Sequence, residues 1–212
     1  MSKIKSRILP TAAGLALAFS IFSGPALAGT QYIGELAGVS KVKDRDFDEL
    51  YVKGAANFAQ YQKILIEPVD VLYGRDKELE DLSARDLQGR QDYLYDALVA
   101  SFGDAFEIVN EPGPDVLRLK ASLTSVWFNK PSLDYQKQSK YVQLSSFNSF
   151  YTGRAAFQAY ITDSITGDLL GVVVDHRRGW SVSNNNKNRW TFWGDAEDAM
   201  DKWAERLPSR LQ

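Results

Sequence analysis

The chain has no cysteine and only one histidine among its 212 residues. The missing cysteine excludes disulfides, zinc-thiolate sites, thiol nucleophiles and redox motifs together. It also removes the residue that carries the lipid in a lipoprotein signal, so no lipid anchor is expected. An exported protein without disulfides must be held by its core. One histidine and no thiol leave a metal little but oxygen ligands, and no phosphate loop or G-x-G-x-x-G pattern is present. No nucleophile-elbow G-x-S-x-G pattern is present either. No cofactor, metal site or catalytic set is therefore assigned. Long apolar runs are equally scarce: beyond residue 28 no segment reads as able to cross a bilayer.

The one apolar run stands at the start. Lys3, Lys5 and Arg7 are followed by a greasy stretch from Ile8 to Phe22, then Ser23-Gly24-Pro25 and the small-residue triplet Ala26-Leu27-Ala28. A charged segment, an apolar segment and an A-x-A site make the layout of a secretory signal peptide, with cleavage expected after Ala28. The competing reading is an uncleaved anchor. The run is short for a spanning helix, which needs about 20 apolar residues, and Pro10, Thr11, Gly14 and Ser20 interrupt it. Cleavage removes three of the 25 basic residues and none of the 27 acids, so the mature charge is about −5. That balance argues against nucleic-acid binding, which relies on Lys and Arg neutralising phosphates. The composition fits a bacterial periplasm.

Residues 29–212 are read as a single α+β domain, with an N-terminal segment (29–60) that wraps its surface. Lys63–Glu67 is short, apolar and ended by Pro68, which reads as a strand, resuming through Val69, Val71 and Tyr73. Ser83-Ala84-Arg85-Asp86 resembles a capping box with Asp in place of Glu. Leu87, Gln91, Leu94, Leu98 and Phe102 then recur at helical spacing, and Gly103 is placed to end the helix. A long strand follows from Val116 to Phe128. Its Leu117, Leu119, Ala121 and Leu123 alternate with Arg118, Lys120, Ser122 and Thr124, as in a sheet with one dry face and one wet face. Residues 130–153 form a long polar loop, with a short strand expected near Tyr141–Leu144. A hairpin follows: Ala155, Phe157, Ala159 and Ile161 alternate with polar neighbours, the turn is Asp163–Asp168, and the return strand starts at Leu169. The last helix is expected from Asp195, as its cap, to Leu207, with Ala196, Met200, Trp203 and Leu207 inward and Pro208 ending it. The fold class expected is α+β, mainly antiparallel sheet with two helices packed on one face.

Few residues suggest chemistry. His176 lies beside Asp175, but strand neighbours point to opposite faces, so Asp175 cannot easily orient it and His176 is read as structural. Asp163–Asp168 lacks the alternating acids and distal Glu of a calcium loop and is read as a turn. No carboxylate stands in a setting that singles it out as an acid with a raised pKa; Glu67, between Ile66 and Pro68, comes nearest. One enrichment remains. Trp180, Trp190, Trp193 and Trp203 are four of the five tryptophans, and Arg177, Arg178, Lys187 and Arg189 lie among them with a run of asparagines. Aromatics with Arg and Asn suit stacking on sugars or a partner surface. Alternatively, Trp193 and Trp203 anchor the last helix and the Asn run is only a loop. The candidate ligand or partner surface is Arg177, Trp180, Arg189 and Trp190.

These segments, taken in order, resemble a bacterial envelope family, the domain of unknown function 3313 family. The resemblance rests on Tyr51–Asn57, Tyr61–Val69, Gly113–Ala121, Asp163–Gly167 leading to Val174-Asp175, and Trp193 with Trp203-Ala204. It spans nearly all of the mature chain. Members look mostly like exported lipoproteins, and the family supplies no catalytic residues. This chain departs twice: the lipid-bearing Cys is missing, and Gln158 stands where the pattern leads one to expect Glu. The reading that results is a periplasmic, non-enzymatic protein binding an unknown envelope partner or ligand. The alternative is a carboxylate-dependent hydrolase acting on envelope glycan.

Overall fold

The computed structural model describes residues 36, 38–72, 82–127, 153–178 and 193–212. Among these are eight strands and two α-helices: β1 (Ser40–Val42), β2 (Glu49–Val52), β3 (Lys63–Ile66), β4 (Asp70–Val71), α1 (Ala84–Gly103), β5 (Glu107–Ile108), β6 (Val116–Trp127), β7 (Arg154–Asp163), β8 (Leu169–Arg178) and α2 (Gly194–Arg206). They form one sheet in the order β1-β2-β8-β7-β6-β3-β5, with β4 also paired to β6. The fold is α+β and mostly antiparallel. The parallel pairs are β3 with β5, β3 with β6, and β4 with β6. Parallel neighbours need a long crossover, and α1 supplies it between β3 and β5.

Helix α1 begins as its sequence suggests. The Ser83 hydroxyl oxygen accepts from the Asp86 backbone N–H, and the hydroxyl itself donates to the Asp86 carboxylate at 2.6 Å. The shorter Asp side chain takes the hydroxyl where a capping-box Glu would take the N-cap N–H. Leu87, Leu94, Leu98 and Phe102 are buried. Gln91, on the same stripe, donates to the Val69 carbonyl at 2.6 Å and ties the helix to the β3–β4 connection.

The dry face of the sheet meets both helices. Leu117, Leu119, Ala121 and Leu123 of β6, Phe157, Ala159 and Ile161 of β7, and Val173 of β8 belong to one core with Met200 and Trp203 of α2. Fully burying a side chain of this size is worth about 1.5–3 kcal/mol. Thr124 is an extra residue in β6, where the register shifts between Leu123 and Ser125, so Leu123 and Val126 both reach the core. The described part of 29–60 contributes two strands at the sheet edge, and its Phe47 and Leu50 are buried in the same core.

The opposite face differs from the expected wet surface. Ser122 and Gln158, directly across from one another on β6 and β7, are buried, as are Ala156, Val172 and Val174. Gln158 donates its amide to the Tyr160 phenol oxygen at 3.1 Å. Alternation in one strand does not report what covers its second face.

The hairpin turn follows its sequence closely. Gly167 takes φ +73°, and the Asp163 carboxylate accepts from the backbone N–H groups of Ile165 and Thr166. The start of α2 does not follow. Trp193, not Asp195, occupies the N-cap position, and no side chain caps the helix there. Asp195 lies inside the first turn, buried, and accepts from the Gly153 N–H at 3.0 Å. The expected loop at 130–153, apart from Gly153, and the strand near Tyr141 lie outside the described residues.

Candidate functional site

Asp175 is the most embedded ionisable group among the described residues, only 2% exposed. It sits on the helix-facing side of β8. One carboxylate oxygen accepts from the Asp48 backbone N–H at 2.9 Å; the other accepts from Arg177 Nε and from Trp203 Nε1, both at 2.7 Å. Burial raises the Asp175 pKa, against the Trp203 hydrogen bond and the Arg177 charge. Trp203 is fully buried and stacks on Phe157 with centroids 4.3 Å apart. The centre joins β8, α2 and the segment before β2.

Its surroundings are charge-matched. Arg177 also donates to the Asp46 carbonyl. Arg206 pairs with Asp46 at 2.9 Å, and Arg210 pairs with Asp44 at 2.7 Å and Asp46 at 2.5 Å. The Arg210 bond holds the Asp44 carboxyl below the ordinary range. His176 plays no part through its ring in any bond described here; its backbone N–H donates to Asp48 at 3.0 Å.

Beside this network, the strands end together. Residues 127, 154 and 178 are successive partners across β6, β7 and β8. From this rung residues 128–152 depart between β6 and β7, and residues 179–192 depart between β8 and α2. The roots are held. Gly153 donates to Asp195, and Trp193 lies 4.9 Å from the Arg90 guanidinium, which is ion-paired with Glu197. Of the candidate surface, Arg177 is placed at this end, with its side chain 28% exposed and two of its donors engaged inward. Trp180, Arg189 and Trp190 lie outside the described residues, on the segment rooted here.

Glu67, the carboxylate the sequence brings forward, accepts from Arg118 at 3.2 Å and is half-buried. The carboxyl groups with raised pKa are instead Asp175, Asp195 and Asp201, each pushed up first by burial. None of the three lines the described groove. An open groove of about 480 Å³ lies at the other end of the sheet, between Phe58, Tyr61, Phe106 and the C-terminal Leu211 and Gln212. Among the described residues no group of His, Asp or Glu is placed to hold a metal ion, and no helix is long and apolar enough to cross a membrane.

The chain belongs to the family described as Protein of unknown function (DUF3313), which it matches over residues 30–207. No curated protein matches it. Among solved structures it is similar to the PelC dodecamer from Paraburkholderia phytofirmans, at 12% identity and a TM-score of 0.39, covering 74% of this chain and 96% of that one. It is also similar to a DUF4136 family protein from Bacteroides thetaiotaomicron, at 10% identity and a TM-score of 0.38, covering 79% and 98%. A third is protein XCC0632 from Xanthomonas campestris, at 15% identity and a TM-score of 0.37, covering 71% and 85%.

Proposed function

We propose that the chain is an exported periplasmic protein, cleaved after Ala28, that binds a partner or ligand of the cell envelope without transforming it. The contact is the end of the sheet bearing Arg177 and the segment with Trp180, Arg189 and Trp190. The observation that carries this reading is the shared rung at 127, 154 and 178, from which both aromatic-rich segments leave. The signal-peptide layout and the missing lipid-bearing Cys support a protein that is exported without a lipid anchor.

The test leaves Arg177 intact, because its Nε holds Asp175. A triple variant, Trp180→Ala with Arg189→Ala and Trp190→Ala, is expected to keep the thermal melt of the parent and lose capture of the envelope component. Crosslinking in intact cells, with the captured species identified, checks it. Unchanged capture by the variant would sink the assignment.

A hydrolase acting on glycan is the second reading, favoured only by the raised pKa values of Asp175, Asp195 and Asp201. It requires turnover of peptidoglycan fragments that Asp195→Asn abolishes. No turnover across a panel of such fragments removes it.

A further inference from the structure

Three aspartates stand at alternate positions between β1 and β2, and each is bound by an element far away in the chain. Asp44 accepts from Arg210 Nε at 2.7 Å. Asp46 pairs with Arg206 at 2.9 Å and with Arg210 at 2.5 Å. The Asp48 carboxylate accepts from the His176 N–H at 3.0 Å, and the Asp48 N–H is one of three donors to Asp175. The apolar hold on this segment is small. All of β1 is exposed, and Phe47 and Leu50 are the buried apolar residues between Gly38 and Val52. Phe47 lies beside Phe157 and 5.9 Å from the Arg210 guanidinium. Only β8 pairs β2 to the rest of the sheet, from Glu49 with Val174 to Val52 with Gly171. An exposed link, Gly54-Ala55, follows. A unit with few buried apolar contacts opens before the rest of its fold, so the ion pairs decide whether this one is closed.

We propose that residues 40–52 form an ion-locked strap that closes last, and only once Arg206 and Arg210 are in place to hold it. Asp44 and Arg210 are 166 positions apart, and a contact that closes so long a loop comes late in folding. Strands β6, β7 and β8 pair with one another without the strap. Until it docks, β8 has no partner on its outer edge, and Asp175 lacks the Asp48 donor. The strap is independent of the envelope-binding reading. In a chain that crosses a membrane N-terminus first, it keeps the earliest residues undocked until those near position 210 have followed.

Hydrogen exchange of the purified protein, read in peptides covering residues 47–53, 117–123 and 155–161, tests this. In Arg206→Gln with Arg210→Gln, exchange of 47–53 is expected to speed up about tenfold or more, the scale of a lost hydrogen bond to a charged partner. The two peptides of β6 and β7 should not change. Asp44→Asn with Asp46→Asn removes the same pairs from the other side and should give the same pattern, which keeps the test valid if the arginine variant folds poorly. Lys202→Gln takes one charge from α2 but breaks only a pair with Asp198, and should leave all three peptides as they were. Added salt should act on 47–53 in the direction of the arginine variant. In pulse-labelled refolding, 155–161 should gain protection before 47–53. Equal acceleration of all three peptides, no acceleration of 47–53, or protection of 47–53 together with 155–161 would overturn the proposal.

Discussion

Trp203→Ala is expected to cost about 3–5 kcal/mol, the largest loss available from one side chain here. Three features place it at the top. The ring is fully buried, it stacks on Phe157, and its Nε1–H is one of three donors to Asp175. Truncation opens a cavity between α2 and the sheet and strips a donor from a buried carboxylate. For a chain of this size the melting temperature should fall by roughly 10 °C or more. Trp203→Phe separates the two effects. It keeps most of the stack and removes only the hydrogen bond, at about 1–3 kcal/mol. Thermal and urea unfolding of both variants measure this. Equal, small losses would show that Trp203 does not hold the helix to the sheet.

Asp175→Ala is expected to be nearly as damaging, about 3 kcal/mol, because it orphans the Asp48 N–H and the Trp203 indole N–H and unpairs a half-buried Arg177. The pH dependence distinguishes this residue from its neighbours. The folded-state pKa of Asp175 is raised, so the folded chain holds that proton more tightly than the unfolded one. Its contribution to stability therefore rises as pH falls through the raised value, and levels off below the ordinary value of 3.8. Asp195 and Asp201 act in the same direction, also through burial.

Asp44 and Asp163 act the other way. Arg210 lowers the first, and the Thr166 N–H leads the groups that lower the second. Their contribution is present above 3.8 and is lost as pH falls through their depressed values. The urea midpoint should therefore climb on mild acidification and then collapse. Asp175→Asn should reduce the climb, with the remainder supplied by Asp195 and Asp201, and leave the collapse in place. A climb undiminished in Asp175→Asn would exclude Asp175 as its source.

What the sequence made legible was local. Alternation from Leu117 to Leu123, the Asp163–Gly167 turn and the Ser83 cap each depend on residues a few positions apart, and each is where it was expected. Ser122 and Gln158 are buried where alternation alone leads to a wet face, because one strand's pattern does not reveal what covers it. Asp195 has the sequence position of a cap, but its partner, Gly153, lies 42 positions away. In sequence Asp175 stands beside His176, whereas its partners in the fold are Asp48, Arg177 and Trp203. The signal that could have found it is a lone acid after the apolar run Val172–Val174, on the face that also carries Val173. The parallel pairing of β3 was hidden because a strand of four residues states its neighbours only through the crossover that follows it. Arg177 shows the limit for the site itself: composition placed it in a basic surface, while geometry gives two of its donors to the interior.

The central claim is that this protein meets the envelope through one end of its sheet. Photo-crosslinking in living cells, with the reactive group placed in turn at Trp180, at Trp190 and at Ile165, addresses it directly. Ile165 is 60% exposed on the opposite, hairpin end and serves as the reference. Capture of an envelope component is expected from positions 180 and 190 and none from 165. Capture from 165 alone, or equally from all three, would contradict it.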